Sequence, residues 1–159
     1  MPADDFVVTP WNVEGDIDYD KLIKRFGTQK ITPELLSKIE KFTNESHFML
    51  RRGIFFSHRD LNRLLDDYEK GKKFFLYTGR GPSGHTHIGH LVPWVFAKWL
   101  QDKFGAKMYF QLTDDEKFWS KKDMTLEKTS QFALENALDF IALGFKPENT
   151  KIIIDTKNI

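Results

Sequence analysis

Two histidines and a glycine near the middle of the chain have the residue types and spacing for chemistry on a phosphate. His87 and His90 lie three positions apart at a predicted helix start, so both side chains project from one helical face. Gly89 between them has no side chain, which leaves room for a flat purine against the backbone. A helix N-terminus attracts phosphates, and imidazoles donate hydrogen bonds to phosphoryl oxygens. This arrangement suits adenylyl transfer, in which a carboxylate attacks an α-phosphate and pyrophosphate leaves.

Glycines in the same loop also fit two other nucleotide-binding motifs. Gly79, Gly81 and Gly84 have the spacing of a dinucleotide fingerprint. Against that interpretation, Pro82 removes a backbone N–H where a pyrophosphate would bind, and the next acidic residues lie about thirty positions on, where roughly twenty are expected. The same loop resembles a P-loop, but that motif needs a lysine after its last glycine, and this chain has His85 there.

Less specific interpretations of the histidines also stay open. A His-x-x-His pair on a helix is often a surface feature or part of a core hydrogen bond. His85, His87 and His90 could hold a metal ion, although no Asp or Glu stands beside them. Their position behind Pro-Ser-Gly, between a strand and a helix, favours nucleotide chemistry, because open α/β sheets bind ligands at that point.

The elements around this loop predict a parallel sheet with crossover helices. Strands are predicted at Phe74–Thr78, Met108–Leu112 and Ile152–Asp155, and helices at Ile88–Phe104 and Thr125–Leu143. Two consecutive crossover units form the first half of a Rossmann-like, doubly wound α/β sheet. The continuous apolar run at Phe74–Thr78 predicts a strand that is buried on both faces. Three strands rarely suffice for such a sheet, so we expect a truncated domain with an exposed apolar sheet edge.

The first 72 residues predict an arm followed by a helical region. Residues Ala3–Trp11 alternate loosely and predict a short strand or arm. Helices are predicted at Tyr19–Phe26, from Pro33 to about Thr43, and at His58–Lys70. Ser57 and Asp60 resemble a capping pair for the last of these helices. We therefore expect two parts, residues 1–72 and residues 73–159.

Composition narrows the class of protein. The chain has 159 residues, 40% of them hydrophobic, which is ordinary for a globular domain. Its 24 basic and 23 acidic residues argue against dedicated nucleic-acid or membrane binding through net charge, and we expect no DNA or membrane partner. It contains no cysteine, which fits a reducing compartment, and no apolar run long enough to span a bilayer. Residues 1–10 lack a signal-peptide pattern, so we expect a cytoplasmic location.

The motifs of this chain resemble those of a known family. The segment Pro-Ser-Gly-His-Thr-His-Ile-Gly-His at residues 82–90 resembles the class I aminoacyl-tRNA synthetase signature. Tyr-Thr-Gly-Arg-Gly at residues 77–81 and Gln-Leu-Thr-Asp-Asp-Glu-Lys-Phe at residues 111–118 are similar to eukaryotic and archaeal tryptophanyl-tRNA synthetases. Residues 50–60 are similar to the same group. The resemblance extends over nearly the whole chain and implies the N-terminal portion of a synthetase with a HUP-type catalytic domain.

The resemblance implies activation of tryptophan with ATP and its transfer to tRNA(Trp), with Mg²⁺ as the partner of ATP and a homodimer as the assembly. It implies that ATP is bound by Arg80, Pro82, His87, Gly89 and His90, with His87 and His90 as the catalytic residues. It implies that tryptophan is bound by Tyr77, Gln111, Thr113 and Glu116, with the first two on the indole N–H and Glu116 on the ammonium.

Those implied roles fit the predicted sheet. Tyr77 and Gln111 lie near the carboxyl ends of successive parallel strands, so their side chains can converge on one ligand. Phenol and amide oxygens both accept a hydrogen bond from an indole N–H. We expect His87 and His90 to project into the same crevice. Less specific interpretations also stay open. Tyr77 can be a core aromatic residue with a satisfied hydroxyl, and Asp114 and Asp115 can cap the next turn. Trp94 and Trp99 are expected to pack in the core rather than to stack on a ligand.

The chain also departs from the family pattern. The Lys-Met-Ser-Lys-Ser-type loop, whose cations stabilise the pyrophosphate side of the transition state, does not occur after Leu143, and no anticodon-binding domain follows. We therefore expect these 159 residues alone to bind weakly and to activate tryptophan very poorly. A tyrosyl-tRNA synthetase and a non-catalytic binding module stay open as alternatives.

Overall fold

The computed structural model describes residues 6–8 and 13–158. Within these residues the strands are β1 (Phe6–Val8), β2 (Val13–Gly15), β3 (Gln29–Lys30), β4 (Ser57–His58), β5 (Phe75–Arg80), β6 (Lys107–Leu112) and β7 (Thr150–Ile154). The α-helices are α1 (Tyr19–Phe26), α2 (Pro33–Thr43), α3 (Phe48–Arg51), α4 (Leu61–Glu69), α5 (Ile88–Phe104), α6 (Asp114–Ser120), α7 (Leu126–Ala142) and α8 (Asp155–Asn158).

A three-stranded parallel sheet in the order β5-β6-β7 forms the second half of the described chain. In its register Tyr77 lies opposite Tyr109, and Gly79 lies opposite Gln111. Helix α5 connects β5 to β6, and helices α6 and α7 connect β6 to β7. The prediction of a Rossmann-like sheet with crossover helices is therefore confirmed.

One face of this sheet is packed against helices α5 and α7. Met108, Phe110 and Leu112 point to that face from β6 and are fully buried. They belong to one cluster with Trp94 of α5 and Phe140 of α7, and the rings of Phe110 and Phe140 stack with their centroids 3.8 Å apart. Because α5 and α7 follow consecutive right-handed crossovers, both helices cover the same face of the sheet.

The other face of the sheet is open in the described part of the chain. Exposure alternates along β5, and the side chains of Phe75 and Tyr77 are 64% and 62% exposed. The prediction that Phe74–Thr78 is buried on both faces is therefore wrong. Its apolar residues alternate between a packed face and an open one, because side chains along a strand point to opposite faces of the sheet.

A second hydrophobic core lies in the N-terminal helical region. Its fully buried members are Leu35, Ile39, Leu50 and Leu65. Phe96 and Trp99 from α5 pack against this cluster, and the ring of Phe55 stacks on Phe96 at 4.4 Å. Helix α5 thus contributes Trp94 to the sheet core and Trp99 to the helical core, as expected for packing residues.

Local capping explains where several helices begin. The hydroxyl of Thr32 accepts a hydrogen bond from the backbone N–H of Leu35, which confirms the predicted start of α2. The predicted Ser57–Asp60 capping pair is wrong. Ser57 lies in β4, Asp60 makes no capping hydrogen bond with its side chain, and the imidazole of His58 accepts from Leu61 N–H instead. Helix α4 therefore begins three residues later than predicted.

Two further features bear on the sequence predictions. Strand β1 pairs antiparallel with β2, and the rest of the predicted arm at Ala3–Trp11 lies outside the described residues. Helix α5 contains Pro93 in its interior. In the described part of the chain, no helix has both the length and the apolar character needed to cross a bilayer.

Candidate active site

The loop that follows β5 is folded back by an arginine. The guanidinium of Arg80 donates from Nη2 to the carbonyl oxygens of Gly84 (3.1 Å) and His85 (3.0 Å). Asn136 of α7 donates to the same Gly84 oxygen at 3.2 Å. Burial lowers the pKa of Arg80, against an opposing attraction from Asp139. The loop is therefore held at the carboxyl end of the sheet with a partly buried positive charge beneath it.

His87 and His90 cap the start of α5 reciprocally. The Nδ1 atom of His87 accepts from the backbone N–H of Gly89, and the Nδ1 atom of His90 accepts from the backbone N–H of His87, both at 3.2 Å. Their ring centroids are 3.7 Å apart. Since each Nδ1 is an acceptor, the neutral rings carry their hydrogen on Nε2. Both imidazoles therefore have a free N–H donor at a helix N-terminus.

Two surroundings of the histidine pair affect its chemistry. The pKa of His90 is lowered by burial first, and then by the charges of Arg80 and His87, which favours the neutral imidazole. A Cβ on Gly89 would lie 3.1 Å from Cε1 of His87, so the glycine makes room for that ring. The role found for Gly89 here is space for His87 rather than only space for a purine.

His85 makes contacts that the other two histidines do not make. Its Nδ1 lies 3.2 Å from a carboxylate oxygen of Glu135, and its ring packs edge-on against Phe132 of α7. Among the described residues, no group of three His, Asp or Glu side chains is arranged to hold a metal ion. The metal interpretation of these histidines therefore has no geometric support.

Tyr77 and Gln111 are in direct contact on the open face of the sheet. The hydroxyl of Tyr77 donates a hydrogen bond to Oε1 of Gln111. Nε2 of Gln111 donates in turn to both carboxylate oxygens of Asp155, at 2.8 and 2.9 Å. Asp155 follows β7 directly and Gln111 lies one residue before the end of β6, whereas Tyr77 lies in the middle of β5, so the three side chains come from three adjacent strands. The sequence pointed to the first two residues and missed Asp155, although its position at a strand end was a usable signal.

Thr113 and Glu116 lie together at the end of β6. The Thr113 hydroxyl donates to one carboxylate oxygen of Glu116 at 3.0 Å, and Lys117 donates to the other at 2.8 Å. The pKa of Glu116 is lowered by the hydrogen bond from Lys117 first and by that from Thr113 second. Thr113 N–H also donates to the carbonyl of Arg80 at 3.1 Å, which joins the ends of β5 and β6. Glu116 is therefore ionised and already has a cationic partner.

Asp114 has a different role from the turn cap considered for it. Its carboxylate is fully buried and accepts from the backbone N–H of Thr156 at 3.1 Å, from the Thr156 hydroxyl, and from Ser130 at 3.3 Å. This carboxylate joins the residues after β6 to those after β7. Asp115 makes the local contact instead, accepting from the N–H of Glu116 at 2.6 Å.

The structure thus brings the sequence-predicted residues together in three groups: the histidine pair with its arginine-held loop, the Tyr77–Gln111 pair, and the Thr113–Glu116 pair. The histidine pair and the Thr113–Glu116 pair follow the carboxyl ends of β5 and β6, and the Tyr77–Gln111 pair lies within these two strands. Pro82 is fully buried within the loop. Whether the two imidazoles and the Tyr77–Gln111 pair contact one ligand stays a prediction.

The chain is similar to known proteins both in sequence and in structure. A family model for class I tRNA synthetases (W and Y) matches residues 69–159. The tryptophan–tRNA ligase of Saccharolobus solfataricus is 57% identical over 159 residues, which is 100% of this chain and 42% of the relative. The ligase of Pyrococcus abyssi is 56% identical over 151 residues, 94% of this chain and 39% of the relative.

Solved structures agree with these relatives. Tryptophanyl-tRNA synthetase from Plasmodium falciparum superposes with a TM-score of 0.86 at 48% identity, covering 89% of this chain and 40% of that chain. A tryptophan-bound synthetase from Encephalitozoon cuniculi superposes with a TM-score of 0.85 at 43% identity, covering 90% and 40%. The chain therefore spans about two fifths of the length of the relatives it matches.

Proposed function

Because the chain belongs to the class I tRNA synthetases for tryptophan and tyrosine, we propose that it provides the first part of a tryptophan–tRNA ligase. The observation that carries this proposal is the hydrogen-bonded pair of Tyr77 and Gln111 on the open face of the sheet. The pair offers oxygen acceptors on two adjacent strands, in the carboxyl-terminal half of β6 and the middle of β5, close to the edge where an α/β sheet binds its ligand. An indole ring has one N–H to donate to them.

The histidine loop supports the ATP half of the reaction. The Nε2 donors of His87 and His90 bind phosphoryl oxygens, and the buried charge of Arg80 adds to the positive potential of the helix N-terminus. A carboxylate oxygen of tryptophan attacks the α-phosphorus. The bond from that phosphorus to the bridging oxygen breaks, and pyrophosphate leaves with the bonding electrons. Mg²⁺ enters with ATP as part of the substrate.

The ammonium group of tryptophan is assigned to Glu116. This carboxylate is ionised, because Lys117 and Thr113 lower its pKa. Lys117 already holds one of its oxygens at 2.8 Å, so the substrate ammonium competes with an internal cation or joins it on the same carboxylate. Lys117→Met removes this internal cation from Glu116, so we expect it to tighten tryptophan binding if Glu116 binds the ammonium.

The deciding experiment is amino-acid-dependent pyrophosphate exchange. The 159-residue chain is compared with a chimera in which it is followed by the remaining part of the Saccharolobus ligase. We expect exchange with tryptophan in the chimera and very little in the chain alone, because the chain covers 42% of that relative. Exchange with tyrosine but not tryptophan would contradict the proposal and support a tyrosyl enzyme.

Two matched variants test the histidine assignment in the same assay. His90→Gln removes a ring whose Nε2 donor lies at the helix start, whereas His85→Gln changes a ring paired with Glu135. We expect exchange to fall about 100-fold in the first and less than about threefold in the second. Equal losses would assign both rings to folding rather than to phosphate binding. A well-folded chain without tryptophan or ATP binding in calorimetry would favour a non-catalytic module.

The proposal extends to assembly and location. It includes tRNA(Trp) as the acceptor of the aminoacyl group, a homodimer and a cytoplasmic location. The division into residues 1–72 and 73–159 stays a prediction, and limited proteolysis between α4 and β5 tests it.

A further inference from the structure

Three side chains form a continuous hydrogen-bonded row across the sheet, from the middle of β5 to the residue that follows β7. Tyr77 from β5 donates to Gln111 from β6, and Gln111 donates to Asp155 directly after β7. Asp155 is half-buried and uses both carboxylate oxygens on the same nitrogen. The row crosses the whole width of the sheet, so its last member lies far in sequence from the first.

The direction of this row is fixed at the Asp155 end. An ionised carboxylate only accepts hydrogen bonds, whereas a glutamine side chain has one accepting end and one donating end. Gln111 must therefore turn its NH₂ group toward Asp155 and its oxygen toward Tyr77. A tyrosine hydroxyl can donate or accept, so Tyr77 alone does not set the orientation of the amide.

The position of Asp155 is itself held by a separate contact. The next residue, Thr156, donates its backbone N–H to the buried carboxylate of Asp114 at 3.1 Å, and its hydroxyl donates to the same group. Asp114 is 0% exposed. The backbone beside Asp155 is thus fixed to the end of β6, the strand that carries Gln111.

The orientation decides what a ligand meets. As observed, the Tyr77 hydrogen is used on Gln111, so only the lone pairs of the two oxygens remain for a ligand. With the amide reversed, its NH₂ would donate to Tyr77, and the Tyr77 hydrogen would turn outward as a donor. The observed arrangement accepts a ring N–H, and the reversed one favours a ring that carries an acceptor.

We propose that Asp155 is a specificity-determining residue that acts through Gln111, holding the Tyr77–Gln111 pair as an acceptor-only site for a ring with an N–H donor. This inference rests on the proposed function and names how that site selects its ligand. Asp155 is a positioning residue, because both of its carboxylate oxygens accept from Gln111 and it acts on the ligand through that amide.

The first measurement reads the row without any ligand. The side-chain NH₂ signals of Gln111 are identified in a ¹⁵N spectrum of the full chain by their loss in Gln111→Glu. In Asp155→Ala we expect both signals to move toward those of a solvent-exposed glutamine, whereas Asp123→Asn, on the exposed loop between α6 and α7, leaves them in place. Unchanged Gln111 signals in Asp155→Ala would overturn the proposal.

The second measurement reads selectivity as a ratio of affinities. Binding of tryptophan is compared with binding of β-(benzothiophen-3-yl)alanine, whose ring has sulfur in place of the N–H. We expect the wild-type chain and Asp123→Asn to prefer tryptophan about fivefold, a typical value for one hydrogen bond. In Asp155→Ala the preference falls by about twofold or more, because the amide is free to reverse and only part of the population keeps the accepting orientation.

Asp155→Asn separates this role from a loss of folding. Asparagine has nearly the same shape but offers either an oxygen or an NH₂ to Gln111, so both orientations of the row become available. We expect a preference for tryptophan between one and fivefold, with Gln111 side-chain NH₂ signals that report both orientations of the amide. Wild-type selectivity in both Asp155 variants would overturn the inference. Failure of the wild-type sequence to bind either compound within the chimera with the Saccharolobus ligase would contradict the proposed function, while the Gln111 signals would still decide whether Asp155 orients the amide.

Discussion

The two faces of the parallel sheet are built from alternate residues of the same strands and have opposite properties. On β6, Phe110 and Leu112 point into the packed face and are both 0% exposed, whereas the neighbouring Gln111 points to the open face. On β5 the side chain of Tyr77 is 62% exposed. A one-residue step along a strand therefore separates the interior of the protein from its candidate binding surface.

The contrast shows how stability and recognition are divided in this fold. The packed face gains free energy from apolar burial, which depends on volume and is tolerant of residue identity. The open face has side chains whose hydrogen-bond direction matters, including Tyr77, Gln111 and Asp155. We therefore expect changes on the two faces to affect different measurements.

The largest effect on stability is expected from Phe110→Ala on the packed face. This change removes a fully buried ring that stacks on Phe140 and leaves a cavity, which costs about 3 to 5 kcal/mol of unfolding free energy. Tyr77→Phe on the open face removes only a hydroxyl and costs about 0.5 kcal/mol or less. Urea unfolding followed by circular dichroism measures both. Similar costs for the two variants would show that the open face is not separate from the core.

A smaller effect on stability is expected from a change at Gly79 of β5, which lies against the backbone of β6. A Cβ on Gly79 would lie 2.4 Å from the backbone carbonyl oxygen of Gln111, so Gly79→Ala pushes β5 away from β6. We expect a loss of about 1 to 3 kcal/mol together with weaker tryptophan binding.

Gly81→Ala is the matched control, because its Cβ would meet the flexible end of the Lys117 side chain, which can move aside. Thermal unfolding and tryptophan titration measure both glycine variants. If Gly81→Ala costs as much as Gly79→Ala, the close contact between the strands is not what limits position 79.

A comparable or smaller loss is expected at the contact that connects the strand ends. Asp114→Asn keeps the size of the side chain but replaces one acceptor by an NH₂ group opposite Thr156. We expect a loss of about 1 to 2 kcal/mol in urea unfolding. Asp115→Asn, whose carboxylate accepts from the neighbouring Glu116 N–H, is expected to cost less. The reverse order would mean that the buried carboxylate does not hold β7 to β6.

The smallest effect is a pH dependence at the start of α5. The pKa of His90 lies below its ordinary value of 6.5, because burial and the charges of Arg80 and His87 disfavour the protonated ring. The unfolded chain therefore binds the proton more tightly, and the free energy of unfolding falls as pH decreases below about 6.5. His90→Gln reduces this slope in urea unfolding at pH 5 to 7, whereas Tyr77→Phe keeps it. A slope that is unchanged in His90→Gln would remove His90 as its source.

Local signals in the sequence were sufficient for the long elements. Helix α5 runs over Ile88–Phe104 as predicted, because its apolar pattern ends at Gly105, which adopts a left-handed conformation with φ of 60°. The motif at residues 77–90 likewise identified the histidine pair and Tyr77. The Ser57–Asp60 pair misled the prediction, because it has the spacing of a capping box although Ser57 lies in a strand.

The remaining features depend on contacts between distant parts of the chain. The exposure of β5 depends on which elements cover each face of the sheet, and the apolar run at Phe74–Thr78 does not contain that information. Asp155 meets Gln111 across a separation of 44 positions, through the register of β6 and β7.

Pro93 lies in the interior of α5, between the first turn of the helix and its remaining turns. Because proline has no backbone N–H, the carbonyl of Gly89 receives no hydrogen bond from that position four residues later. The turn that contains Gly89 and His90 is thus connected to the rest of the helix by one bond fewer than an uninterrupted turn would be. We therefore expect this turn to open locally more easily than the same turn would without the proline in the sixth position of the helix.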